Sequence, residues 1–161
     1  MPPRPEPVEA PAGYGLGAAE PGERLPWETV DGWIEASRNY WICTTRADGR
    51  PHAKPVWGVW LEEMVLFGTN PESVTGRNLQ RDPHAAIHLE SGDEVAILEG
   101  EARRLDRPEL LEPFVDAYEK KYDYRPEQFS AEAPPWSLAP AKVLSWTEVD
   151  FPKTATRWEF G

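Results

Sequence analysis

The sequence predicts a mainly β domain, a barrel or sandwich of short strands with a few short helices around it. Three observations lead there. Short runs rich in aromatic and β-branched residues recur along the chain, such as Tyr40–Thr45 (YWICTT) and Met64–Thr69 (MVLFGT). Tight-turn signals separate them, and Asp48-Gly49 is the strongest because both residues accept the positive φ that a hairpin turn needs. The helical segments do not alternate regularly with the strands, which disfavours a doubly wound parallel sheet.

Residues 1–26 hold seven of the 18 prolines and four of the 12 glycines, so they read as a flexible arm preceding a domain over 27–161. A helix is expected over 28–38, with Trp33 and Ile34 on its inner side. The first strand is Tyr40–Thr45, and the Asp48-Gly49 turn leads into a second over His52–Leu61. That second run has apolar residues on both faces, which suits a wall covered on both sides. Pro55 cannot donate to a ladder, so a bulge or a sheet edge is expected there. After Met64–Thr69, Asn70-Pro71-Glu72 reads as a helix start, with Asn as the cap and Pro at the first helical position. The helix should stop before Pro83. His84–Glu90 alternates polar and apolar residues, as a half-buried strand does. Val95–Leu105 is the next strand, with a bend at Gly100. Residues 108–122 form an amphipathic helix, interrupted or kinked near Pro113. Strands over 142–148 and 154–160 close the chain.

Composition excludes several classes of function. The 161 residues are 40% hydrophobic and 28% charged, with Lys plus Arg at 17 against Asp plus Glu at 28 and a formal net charge of −11. That sign opposes phosphate-neutralising contact with nucleic acid and attraction to an anionic membrane surface. A single cysteine, Cys43, excludes an internal disulfide and a cysteine-cluster metal site. The N-terminus lacks the apolar core of a secretory signal and no apolar run is long enough to span a bilayer, so a cytoplasmic protein is expected. Neither phosphate-loop fingerprint is present, and there is no GxSxG elbow or HExxH. His84 and His88 lie four apart on an expected strand, about 13 Å from end to end, too far to share one metal ion.

The segment TNPESVTGRN, Thr69–Asn78, is the best candidate site. A strand end feeds a helix start there, and free backbone N–H groups with the helix dipole favour an anion. Ser73 and Thr75 add hydroxyls and Arg77 a guanidinium, while Glu72 opposes an anion; the same residues also suit plain helix capping and a solvated surface charge. The eight tryptophans suit either core packing or a wall for a planar heterocycle.

The runs RNYWICTTRADGRPHAKPVWGVW and MVLFGTNPESVTGRNLQRDPHAAIHLESGDEVAILEGEARRL resemble the pyridoxamine 5′-phosphate oxidase-like split barrels. The likeness is stronger to the flavin and deazaflavin oxidoreductases of that superfamily, and it extends to the closing TATRWEF. The resemblance implies a six-stranded antiparallel Greek-key split β-barrel with flanking short helices, in a homodimer with cofactor clefts at the subunit interface. By the same likeness the cofactor phosphate meets Thr69, Ser73, Thr75, Arg77 and Asn78. The ring lies along Lys54, Pro55, Val56 and Trp57, and Arg157 and Trp158 contribute from the other subunit. One departure is visible: Thr75 stands where the family usually has Lys, and Val74 where true pyridoxamine phosphate oxidases often have Arg. A hydroxyl in place of a cation removes a charge-assisted bond. The resulting expectation is an oxidoreductase using the deazaflavin F420, with FMN as the alternative cofactor, acting on an unsaturated small organic molecule. The alternatives are a non-catalytic flavin, F420 or haem carrier, with His52, His84 and His88 as the available nitrogen ligands, and a domain whose cleft is empty.

Overall fold

The computed structural model describes residues 2–8, 23–151 and 153–161. In chain order the elements are β1 (Arg4–Pro7), α1 (Trp27–Ala36), β2 (Tyr40–Thr45), β3 (Pro51–Val56), β4 (Gly58–Leu61), β5 (Met64–Phe67), α2 (Val74–Arg81), β6 (His84–His88), β7 (Glu94–Arg104), α3 (Leu111–Tyr122), β8 (Trp136–Thr147) and β9 (Thr156–Glu159), with a 3₁₀ turn at Pro108–Leu110. Every strand pairing is antiparallel.

The pairings trace a ring. β3 pairs β2, β2 pairs β6, β6 pairs β7, β7 pairs β8, β8 pairs β5 and β5 pairs β4. β4 follows β3 after one residue, Trp57, so the chain itself closes the circuit. With β3–β4 counted as one bent strand, the ring has the six expected strands; β1 and β9 are additional, and the total is nine. The split lies along β8. Val65–Phe67 of β5 pair with its first residues, Trp136–Leu138, and β9 pairs with Lys142–Ser145 further on.

Alternation fills the barrel. Tyr40, Ile42, Val65, Phe67, Ile87, Leu98, Leu138 and Val143 are buried in one cluster with Val30 and Ile34 of α1. Val59 and Leu66 belong instead to a second cluster with Phe114, Val115, Tyr118 and Tyr122 of α3. β5 thus buries both faces, Val65 and Phe67 inward and Leu66 under α3, as an all-apolar strand requires.

Several sequence expectations shift by a few residues. The single strand expected over 52–61 breaks at Trp57, not at Pro55, which pairs with Trp41 inside β3. Pro55 is tolerated because β3 ends the hydrogen-bonded path, leaving its missing N–H on the outer edge. The β2–β3 hairpin turns where Asp48-Gly49 predicts, over residues 46–50, but of the two only Gly49 takes a positive φ, +84°. The helix after β5 begins at Val74, and its cap is Ser73, not Asn70. Asn70 Oδ1 instead accepts from the Glu72 N–H at 2.8 Å, a local turn that precedes the helix. The interruption expected near Pro113 is a change from the 3₁₀ turn at Pro108–Leu110 to α3, and Pro113, the third residue of α3, sits where the N–H has no intrahelical acceptor. The bend at Gly100 is a register shift between Glu99 and Gly100 opposite Pro140. β8 starts at Trp136, six residues before the expected 142, and keeps Pro140 at that irregularity. Arg4–Pro7, expected within the arm, is a strand on β9, and 9–22 of that arm lie outside the described residues.

Candidate functional site

Three of the sequence-predicted residues converge where β3 meets the start of α2. Lys54, half-buried on β3, donates through Nζ to Thr69 Oγ1 at 3.2 Å. Thr69 Oγ1 lies 3.0 Å from Ser73 Oγ, and Ser73 Oγ accepts the Gly76 N–H at 3.0 Å. The chain folds this way because residues 70–73 turn tightly, the Ser73 N–H donating to the Asn70 carbonyl at 3.0 Å. Gly76 makes the turn possible. A Cβ there would lie 2.3 Å from the Asn70 carbonyl oxygen and 2.8 Å from Pro71 Cα, so the first turn of α2 rests directly on that backbone.

The other predicted residues of this segment separate. Arg77 is exposed and has no carboxylate partner among the described residues. Thr75 is buried at 1% exposure, and its hydroxyl oxygen has no hydrogen-bond partner among the described residues. Asn78 is also buried; its amide donates to Thr44 Oγ1 at 3.0 Å, tying α2 to the barrel wall. Arg81 reinforces that tie through the Thr45 carbonyl, a contact between residues 36 apart that no local pattern marks.

Along the expected ring-binding strand, Val56 is buried in the barrel core and Pro55 is exposed. Trp57 is 41% exposed and stacks flat on Tyr122 of α3, with ring centroids 4.6 Å apart and planes 6° apart. The Arg38 guanidinium sits 5.7 Å from the Trp57 ring and 5.6 Å from that of Tyr122. His52, one pleat from Lys54, keeps Nδ1 buried without a partner. Burial first, then the charges of Arg46 and Lys54, hold its imidazole below the usual histidine range.

The closing strand divides. Trp158 is buried at 3% exposure, packs against Trp27 and donates its indole N–H to Ser145 Oγ at 2.8 Å, so it belongs to the core of its own chain. Arg157 is exposed, ion-paired with Glu159, and lines an open cleft of about 920 Å³ on the outer barrel wall. Cys43, Ala86, Ala139 and Lys142 line the same cleft.

Sequence reasoning misses a polar knot behind Trp57. The Tyr122 hydroxyl accepts the Gly58 N–H at 2.9 Å and donates to the Arg38 carbonyl at 2.7 Å. Lys121 Nζ donates to the Tyr40 hydroxyl and the Gly58 carbonyl, both at 3.1 Å. Burial pushes Lys121 down to about 8, the Glu35 charge opposing and the Arg38 charge assisting. Lys121 and Tyr122 sit 63 and 64 residues from Gly58, and no local pattern marks such a contact.

No group of three or more His, Cys, Asp or Glu able to hold a metal occurs among the described residues, and no described helix is long and apolar enough to cross a membrane. The family described as Pyridoxamine 5′-phosphate oxidase matches residues 26–149. No curated protein matches the chain. Among solved structures, a conserved hypothetical protein from Mycobacterium tuberculosis aligns with a TM-score of 0.63 at 22% identity, over 76% of this chain and 85% of that one. A heme binding protein from Mycobacterium smegmatis aligns with a TM-score of 0.60 at 24% identity, over 76% of this chain and 55% of that one. An F420 reductase aligns with a TM-score of 0.53 at 20% identity, over 70% of this chain and 94% of that one. Likeness at these identities speaks to the fold.

Proposed function

The chain belongs to the pyridoxamine 5′-phosphate oxidase family, and from that premise we propose that it is an oxidoreductase that binds the deazaflavin F420 and passes a hydride between that cofactor and an unsaturated small organic substrate. The observation that carries the reading is the Lys54–Thr69–Ser73 cluster at the start of α2. The donor set suits a phosphate. Lys54 is held by one neutral hydroxyl, Arg77 has no acidic partner among the described residues, and the Thr75 hydroxyl is buried without a partner. FMN is the alternative cofactor because the same donors serve its phosphate.

The cofactor supplies the hydride chemistry when bound, and the protein supplies position and charge. In this reading Lys54, expected along the ring, instead joins Thr69 and Ser73 at the phosphate because its Nζ reaches Thr69 Oγ1, and Arg77 adds charge from the solvent side. Thr75 contributes a neutral donor where the family usually has a cation. Trp57, held flat by Tyr122, is the aromatic surface for the ring, with Pro55 beside it. Titration with F420 and, separately, FMN, followed by cofactor fluorescence, tests the reading. Micromolar saturation by F420 supports it, saturation by FMN alone transfers it to the alternative, and binding of neither removes it. Arg77→Ala is expected to weaken binding at least about tenfold through loss of a charge-assisted contact. Unchanged affinity would discard the phosphate assignment.

A cytoplasmic homodimer completes this reading. Register places Trp41, His88, Ile97, Leu144 and Arg157 side by side across β2, β6, β7, β8 and β9 on the outer wall. The first four are half-buried and mostly apolar, next to the cleft lined by Arg157. A second copy laid on this wall would cover it and bring its own Arg157 to the interface.

One observation favours a second reading, a non-catalytic haem carrier. His88 Nδ1 lies 2.7 Å from the Leu89 carbonyl, which sets the tautomer and leaves Nε2 as a lone-pair donor beside the Trp41 ring. His84 is engaged instead with Asp82 at 2.7 Å. A Soret band on hemin addition that His88→Ala abolishes would replace the oxidoreductase reading.

A further inference from the structure

A second cavity, of about 650 Å³, lies beyond Thr69, between the end of β7, α3 and the loop that leads into β8. We propose that it binds a small organic monocarboxylate with an aromatic or apolar body, the Arg104 guanidinium holding the carboxylate. The lining combines charged and aromatic groups. Tyr118 and Phe129 line it as aromatic walls, and Arg104 and Glu132 line it as charged groups.

Arg104 is placed for this work. Its guanidinium carbon lies 4.5 Å from the centroid of the buried Trp136 ring, and NH1 donates to the Pro134 carbonyl at 2.9 Å. Both contacts fix the planar fork without consuming its charge, and the remaining N–H groups match the two oxygens of a carboxylate. Arg4, Arg50, Arg103, Arg107, Arg125 and Arg157 all pair with carboxylates. Arg104, like Arg38 and Arg77, pairs with none among the described residues, and of these it is the one that lines this cavity. The Tyr118 hydroxyl is a donor at neutral pH, as any phenol is, and burial pushes it further up, to about 12.

Glu132 sets the charge of the ligand. It lines the same cavity yet makes no ion pair with Arg104. Its carboxylate repels a phosphate or a dianion more strongly than a single negative charge. The volume falls within the usual range for small-ligand pockets, roughly 300–1,000 Å³.

The test uses the full chain without added cofactor, so its failure leaves the flavin-type reading standing. 4-Fluorobenzoate is titrated and followed by fluorine NMR. Saturable binding is expected in the wild type, with 4-fluorobenzyl alcohol about tenfold weaker because it lacks the charge. Arg104→Gln is expected to weaken 4-fluorobenzoate about tenfold, and Glu132→Gln to strengthen it. Equal binding of acid and alcohol by the wild type would overturn the proposal, and that comparison needs no variant to fold. Absence of saturation up to about 20 mM, an affinity too weak for a built site, would overturn it as well. So would an Arg104→Gln protein that keeps its thermal midpoint and wild-type affinity.

Discussion

Replacing Gly76 with Ala tests whether the start of α2 rests on the 70–71 backbone as tightly as the geometry indicates. The new Cβ would stand 2.3 Å from the Asn70 carbonyl oxygen, 2.8 Å from Pro71 Cα and 2.9 Å from Pro71 C. All three are backbone atoms, so no side chain can swing aside. Forcing an extra methyl into such a contact costs about 1–3 kcal/mol. The better helix propensity of Ala returns about 1 kcal/mol. Relaxation must lift α2 from the turn, which strains the Ser73 cap bond to the Gly76 N–H, a bond of a kind worth about 1 kcal/mol. The expected sum is about 1–3 kcal/mol of lost stability, or roughly 2–10 °C in Tm for a domain of this size. Gly32, exposed in α1 with nothing within 4 Å of its Cβ position, provides the control. Gly32→Ala should stabilise by up to about 1 kcal/mol. Urea denaturation of both variants measures the two signs. A Gly76→Ala protein as stable as wild type, or stabilised as Gly32→Ala is, would refute the claim that this helix start is built by close backbone approach.

Two further predictions concern the knot behind Trp57. Tyr122→Phe keeps the stack on Trp57 but leaves the buried Gly58 N–H without its acceptor, so urea denaturation should show a loss of about 1–3 kcal/mol. Lys121 has a folded pKa of about 8 against an unfolded value near 10.5, so the unfolded chain binds the extra proton between those values. Stability should therefore rise as pH rises from about 8 towards 10, with the Cys43 thiol, raised by burial, opposing part of that rise, and above it tyrosines with raised pKa values, Tyr40 and Tyr118, reverse the trend. Urea midpoints across that window should lose their upward slope in Lys121→Gln.

Much of the barrel is legible in the amino-acid sequence because its determinants are local. YWICTT and MVLFGT carry their strand propensity, and HAAIH its alternation, within five or six residues, and Asp48-Gly49 carries its own turn. Ser73, three residues before Gly76, is among the expected site residues, yet the sequence pattern points to Asn70 as the cap. Both are good caps, and only the close approach of Gly76 to the 70–71 backbone decides between them. Trp158 shows the opposite limit. The likeness of TATRWEF to a family strand suggests a role at a cofactor, whereas its indole points into its own barrel, beside Trp27 and Ser145.

The sequence by itself determined a mainly β fold, the positions of most strands, the acidic character that disfavours nucleic-acid partners, and the polar segment Thr69–Asn78. Those properties follow from residue type and spacing of a few positions. Tertiary structure alone decided that Lys54 reaches Thr69 across 15 residues, that Thr75 is buried without a partner, and that Arg104 faces a cavity with Glu132 in the same wall. It also decided that β8 pairs on one edge with both β5 and β9. Each of these depends on which strands become neighbours, and pairing is settled by the burial of whole faces rather than by any local run of residues.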